Sequence, residues 1–250
     1  MVKKWNVVIP KLSGDMPRKV YVYLPASYEK NPEKHYPVMY MFDGHNVFFD
    51  KDATFGKSWG MNKYMVRSKK ELIIVGVECN HEGNRRLVEY SPVNFDNNLG
   101  KIKGKGRTYM NWLVKELKPQ IDEHFRTLPD RRNTLIAGSS MGGLMALYAV
   151  TAYNHVFQRA ACLSPSIWVN PQKVLELLER ARVRKDTTVY MDYGELEMAN
   201  HEPSREALLA ASQLLIRKQL NLTLRIIPRG THSEASWEKQ IPIFMDCLGI

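Results

Sequence analysis

At residues 135–144 an apolar run breaks into glycines and serines and then resumes with helical character: Leu135-Ile-Ala-Gly-Ser-Ser-Met-Gly-Gly-Leu144. The frame Gly138-x-Ser140-x-Gly142 sets a glycine two positions either side of Ser140 and marks it as the candidate nucleophile. A serine forced into a tight strand-to-helix turn has strained backbone angles, and only side chains near the size of hydrogen leave room for the crossing chain. The turn lifts the hydroxyl above the sheet edge. Met141 then opens a helix whose free N–H groups and positive dipole end favour a developing oxyanion. Asn133 to Ala137 reads as a buried strand and Met141 to Tyr153 as a helix apolar nearly all round, the setting such a turn requires.

The same alternation runs through the chain. Asn6 to Ile9 and Lys19 to Pro25 read as half-exposed strands around the turn Ser13-Gly14-Asp15. Val38 to Phe42 is a short buried strand that stops at Asp43-Gly44-His45-Asn46. Ser58 to Arg67 has helical spacing, Glu71 to Cys79 is the next buried strand, and Asn80 to Gly106 is an irregular surface excursion bordering a site. One amphipathic helix is expected over Thr108 to Phe125, bent at Pro119. Beyond residue 153, strands at Ala160 to Leu163, Thr187 to Asp192 and Leu222 to Ile227 alternate with helices at Pro171 to Arg182, Glu202 to Lys218 and Glu234 to Leu248. This order predicts a mostly parallel sheet with helices on both faces and an active-site crevice at the strand carboxyl ends. No linker divides it, so residues 1–250 are expected to form a single α/β domain.

A formal charge of +10 raises the question of nucleic-acid binding, because clustered Lys and Arg neutralise phosphates. The basic residues are dispersed, with small groups at Lys101 to Arg107 and Arg180 to Lys185 and no RNA-binding or zinc-finger motif beside them. No nucleic-acid partner is expected. No apolar run is long enough to span a bilayer and no secretory leader is visible, so no membrane partner is expected and the protein is read as cytoplasmic. Cys79, Cys162 and Cys247 are odd in number, far apart and in apolar surroundings, which suits reduced core thiols. None sits in a metal-ligand spacing, and neither a metal nor an organic cofactor is expected. Exposed apolar helix faces are compatible with a homodimer without requiring one.

A serine hydroxyl is a poor nucleophile at neutral pH and needs a base within hydrogen-bond reach and a carboxylate to orient that base. Three histidines follow Ser140. His155 comes directly after the helix and faces away, and His201 precedes another helix as a rim residue. His232 sits in the loop after the last strand, where it can reach back across the sheet edge, and is the expected base. The loop Asp192-Tyr-Gly-Glu-Leu-Glu197 offers three carboxylates. Glu197 is preferred as the acid, while Asp192 suits bracing the loop through backbone N–H groups and Glu195 suits solvent; spacing alone does not separate them. A second oxyanion donor is expected from the loop after Val38 to Phe42, where the N–H of His45 stands beside that of Met141.

Several further segments carry a likeness: Tyr40-Met-Phe-Asp-Gly-His-Asn46, Arg86 to Pro92, Leu117 to Asp122, Leu163-Ser-Pro-Ser-Ile-Trp168, Met191 to Glu197 and Gly230 to Trp237. With the Ser140 turn, they resemble the putative esterase family of α/β-hydrolases, which includes enterochelin esterase, S-formylglutathione hydrolase, feruloyl and acetylxylan esterases and mycolyltransferases. The likeness runs from about Lys19 to Leu248. It implies an α/β-hydrolase fold without a large lid, and a serine esterase. It places the acid at the end of Gly194-x-x-Glu197, where the family more often has Asp, and the oxyanion donors at His45 and Met141.

With no long insertion after the sixth main strand, the pocket is expected to be open and suited to short-chain or aromatic acyl esters. Candidate walls are His45, Asn46, Phe48, Arg86, Tyr90 and Trp168; Arg86 would meet a substrate carboxylate or pair with Glu89 or another acid. The expected function is hydrolysis of a small-molecule ester through an acyl-enzyme. The alternatives are a siderophore-trilactone hydrolase, an S-formylglutathione-type thioesterase, an acyltransferase and, outside enzymes, a binding module on a hydrolase scaffold. An intact Ser140, Glu197 and His232 in that order argues against the last.

Overall fold

Short β-rich apolar runs build an eight-stranded sheet with a hydrophobic core on each face. The computed structural model describes residues 1–12, 16–97, 100–198 and 202–250; the expected turn at Ser13 to Asp15, and His201, lie outside them. The strands are β1 Val2–Val8, β2 Pro17–Tyr23, β3 Val38–Met41, β4 Ile73–Val77, β5 Phe95–Asn97, β6 Gly100–Ile102, β7 Thr134–Ser139, β8 Arg159–Leu163, β9 Thr188–Gly194 and β10 Asn221–Ile227. Eight of them form the sheet in the order β1-β2-β4-β3-β7-β8-β9-β10. The β1/β2 and β2/β4 pairs are antiparallel and the remaining pairs are parallel. This is the mostly parallel α/β-hydrolase sheet that the sequence predicts.

Because successive strand residues face opposite sides, β3 sends Val38 and Tyr40 into one core and Met39 and Met41 into the other. The first core is covered by the helices Met141–Ala152, Pro171–Arg180 and Glu202–Arg217 and by the helical stretch 106–124. The second lies under Met61–Ser68 and Ile241–Cys247. Both faces of the central strands are therefore buried, which explains their near-continuous apolar runs.

Three segments differ from expectation. The helix predicted over Thr108 to Phe125 is Gly106–Trp112, then a π-helical turn over Leu113–Leu117, then Lys118–His124. Pro119 has no N–H to give the Lys115 carbonyl and its ring crowds that group, so the wide turn relieves the clash. The last helix is likewise two, Glu234–Glu238 and Ile241–Cys247, with Pro242 in the first turn of the second, where its missing N–H costs nothing. The stretch Asn80 to Gly106 carries the short helix Arg85–Glu89 and the β5/β6 ribbon. The loops after β3, β7, β9 and β10 all leave the carboxyl edge of the parallel strands, and only residues 164–170 separate β8 from its helix.

Candidate active site

Ser140 has φ 57° and ψ −123°, a conformation that a residue with a Cβ adopts only under restraint. The glycines explain how the turn closes. A Cβ on Gly138 would lie 2.6 Å from the carbonyl carbon of Gly142, and one on Gly143 would lie 2.6 Å from the Leu163 carbonyl oxygen. The Ser140 N–H donates to the Leu163 carbonyl at 2.9 Å, and its own carbonyl accepts from Leu144 and Ser166. The same five-residue frame recurs at Gly56-Lys-Ser-Trp-Gly60, so spacing alone does not single out Ser140. Ser58 is buried, donates to Asp50 Oδ1 at 2.7 Å and follows no strand. The preceding strand β7 is what distinguishes the 140 turn.

Two loops that follow adjacent parallel strands bring the other groups together. Gly194, ending β9, packs so closely on Gly230 that a Cβ there would sit 2.4 Å from the Gly230 carbonyl carbon, and Leu196 N–H donates to the Gly230 carbonyl at 3.0 Å. Across this contact His232 Nδ1 and Glu197 Oε2 are 2.5 Å apart. The other Glu197 oxygen accepts the Ser164 hydroxyl at 2.6 Å and the Gly194 N–H at 2.5 Å. Burial pushes this carboxyl up, but the bonds from His232, Ser164 and Gly194 outweigh it and hold the group below its ordinary range. It is thus ionised at neutral pH. Asp192 instead accepts the Tyr190 hydroxyl at 2.8 Å and the Ser164 N–H at 3.3 Å, and Glu195 accepts the Arg229 N–H at 2.8 Å.

Ser140 and His232 line one cavity of ≈ 610 Å³. The Ser140 hydroxyl contacts Ser166 Oγ at 3.4 Å, and among the described residues it makes no direct hydrogen bond to His232. The N–H groups of Met141 and His45 donate to no acceptor among the described residues. Gly44 lets the β3 loop lie flat against β4, since a Cβ there would fall 2.4 Å from the Gly76 carbonyl carbon. Asp43, at φ 54°, turns the chain into this loop and takes two hydrogen bonds from Arg86, at 2.8 and 2.7 Å. Burial raises the Asp43 carboxyl, and the Arg86 guanidinium more than compensates, leaving it below its usual value. Glu234, on the same wall and bonded to Asn46, is raised by burial and by the Asp43 charge.

The expected pocket residues divide. His45, Asn46 and Arg86 lie on the cavity, with Arg86 tied to Asp43; Glu89 pairs with Arg18 instead. Phe48 and Tyr90 do not line it. Phe48 is buried against Tyr21 and over Gly76, and Tyr90 is packed among Phe42 and Tyr109 with its hydroxyl accepting the Asp43 N–H. Trp168 flanks a separate hollow behind the His232–Glu197 pair, with Tyr193. Sequence reasoning missed Ser164 and Trp237. Trp237 Nε1 donates to Ser164 Oγ at 3.0 Å, so a chain of bonds runs from Trp237 through Ser164 to Glu197 and His232. Their presence in Leu163 to Trp168 and Gly230 to Trp237 was the available signal.

Two measurements probe this surround. Ser164→Ala removes a donor to Glu197 and leaves the Trp237 N–H without its acceptor, which should cost about 1–3 kcal/mol of stability. It should also raise the pH at which the Glu197 carboxyl titrates, followed by NMR, because that hydrogen bond lowers it. An unchanged titration point would contradict the linkage. Asp192 is nearly fully buried, and burial pushes it up to about 7 despite the Tyr190 and Ser164 bonds. A carboxyl raised in the folded state contributes stability that is full below its unfolded value and is lost as pH rises through about 7. Relative to Asp192→Asn, the wild type should therefore lose about 4 kcal/mol between pH 4 and pH 8 in urea unfolding; a constant difference would disprove it.

Comparisons with known proteins place the fold and the family. The model of the family described as Putative esterase matches residues 13–244. The uncharacterized protein YbbA of Bacillus subtilis is 23% identical over 184 residues, 72% of this chain and 69% of that protein. An IroE-like serine hydrolase from Shewanella oneidensis superposes with a TM-score of 0.77 at 20% identity, over 99% of this chain and 79% of that one. The enterobactin esterase FES of Shigella flexneri, solved in the presence of enterobactin, superposes with a TM-score of 0.75 at 16% identity over all of this chain and 58% of its own. Strand order, elbow and family match converge on one assignment: the chain belongs to the putative esterase family, carboxylic-ester hydrolases of the α/β-hydrolase fold.

Proposed function

We propose that this chain cleaves short-chain or aromatic acyl esters through an acyl-enzyme on Ser140, with His232 as general base and acid and Glu197 as its orienting carboxylate. The observation that carries this reading is the 2.5 Å His232–Glu197 contact beside the cavity that Ser140 also lines. Glu197 holds the proton of His232 on Nδ1, which leaves Nε2 to take the Ser140 proton during attack on the ester carbonyl. The oxyanion then accepts from the Met141 and His45 N–H groups, which have no competing acceptor among the described residues, and the helix Met141–Ala152 adds its positive end. His232 returns its proton to the leaving alcohol, and water repeats the sequence on the acyl-enzyme. A rotation of the Ser140 hydroxyl away from Ser166 is part of forming the reactive contact.

Phe55 and Trp237 give the cavity aromatic walls suited to an aromatic acyl group. The test is a p-nitrophenyl ester series, acetate through octanoate, followed with wild type and with Ser140 labelled by a fluorophosphonate. Hydrolysis that declines with chain length and disappears on labelling is expected; undiminished turnover by the labelled protein would refute the assignment. A second reading is a siderophore ester, the class of substrate cleaved by an enterobactin esterase such as FES. The size of the cavity, well above what a short acyl ester fills, favours including a catecholate ester in the series.

A further inference from the structure

We propose that His45, Cys79 and His81 form a site for one borderline-soft divalent cation, of the Zn²⁺ or Co²⁺ class, on the cavity wall. Its ligands are side chains outside the candidate triad, although they share the cavity with Ser140 and His232. One ligand atom from each of the three lies within 4.8 Å of the others, and all three residues line the cavity. The arrangement follows from the sheet: β3 and β4 pair in parallel, so the loop carrying His45 and the Cys79-x-His81 segment emerge side by side at the same edge. The ligands come from two segments, which is why no sequence spacing announces them.

His45 supplies the independent sign of a missing ligand. Its Nε2 is bonded to Thr54 Oγ1 at 2.9 Å, while its Nδ1 is buried with no hydrogen-bond partner among the described residues. Leaving such a nitrogen unpaired is unfavourable, and coordination would satisfy it. His81 Nε2 donates to Glu78 Oε1 at 3.2 Å, the carboxylate–imidazole pairing that fixes a ligating tautomer, and its Nδ1 is 4.0 Å from Cys79 Sγ. Tetrahedral Zn²⁺ separates such nitrogen and sulfur atoms by about 3.5 Å. The exposed His81 ring can close that gap. An N₂S set suits Zn²⁺ or Co²⁺ and disfavours Mg²⁺ and Ca²⁺, which prefer oxygen, and the fourth position opens to the cavity for water or a ligand oxygen.

Titration of the chelator-stripped protein with Co²⁺ tests the site, because only a thiolate ligand gives the strong near-ultraviolet sulfur-to-cobalt charge-transfer band. One equivalent should develop the band, and Zn²⁺ should displace it. Cys79→Ala should lose the band. His81→Ala, at an exposed position that leaves the core intact, should weaken Zn²⁺ binding on the order of 100-fold. His232→Ala should keep both, which separates this site from the candidate triad. The proposal is overturned if wild type shows no charge-transfer band, if His81→Ala binds Zn²⁺ as tightly as wild type, or if His232→Ala abolishes binding.

Discussion

Ser140→Ala is expected to lower kcat for p-nitrophenyl acetate by roughly 10⁴–10⁶-fold, leaving the residual rate that an oxyanion hole and binding alone provide. The thermal midpoint should hardly move. Alanine keeps the Cβ, so the φ of 57° remains as strained as before, and the hydroxyl that is lost makes only the long 3.4 Å contact to Ser166. Ser140→Gly separates the two properties. Glycine reaches this conformation freely, so that variant should be equally inactive yet more stable by about 1 kcal/mol or more. A stability gain with lost activity would identify the elbow as strain retained for chemistry. Retention of esterase activity in both variants would remove Ser140 from the mechanism, whatever the fold.

The fold was legible because its signals are local and repeated. Val38 to Phe42, Glu71 to Cys79 and Asn133 to Ala137 read as buried strands from their apolar runs, and strands lie there at Val38–Met41, Ile73–Val77 and Thr134–Ser139. Chain order led to the expectation that His232 and the loop 192–197 share one edge, since loops after consecutive parallel strands do, while the preference for Glu197 within Gly194-x-x-Glu197 leaned on the family resemblance. Side-chain direction was not legible in the same way. Phe48 and Tyr90 fall near the site in sequence, but what turns them inward is the approach of Gly44 to Gly76 and the edge-to-face packing of Tyr90 with Phe42 and Tyr109 from different segments. The second Gly-x-Ser-x-Gly frame at Ser58 makes the same point from the other side. A short pattern gains meaning only from the strand that feeds it. Ser164 was hidden for a related reason: its hydroxyl sits between Trp237 and Glu197, residues 73 and 33 positions away.

Glu197→Gln is expected to lower kcat by roughly 10⁴-fold with KM little changed. The amide can face His232 with its NH₂ group, which favours the tautomer that carries its proton on Nε2 and cannot accept one from Ser140. The loop itself should survive, because the amide oxygen can still accept from Ser164 and Gly194. Glu195→Gln is the matched control: its oxygen accepts the exposed Arg229 N–H, an amide does this equally well, and activity should stay within about twofold. Glu197→Asp keeps the charge but draws the carboxylate back by one methylene, about 1.5 Å. The 2.5 Å contact to His232 then lengthens unless the Gly194–Gly230 crossing shifts, and that crossing has no room to close further. The order wild type, Glu197→Asp, Glu197→Gln in kcat therefore reports both charge and reach. If Glu195→Gln were the inactive variant, the acid would belong to Glu195; if Glu197→Asp matched wild type, the length of the glutamate would be incidental.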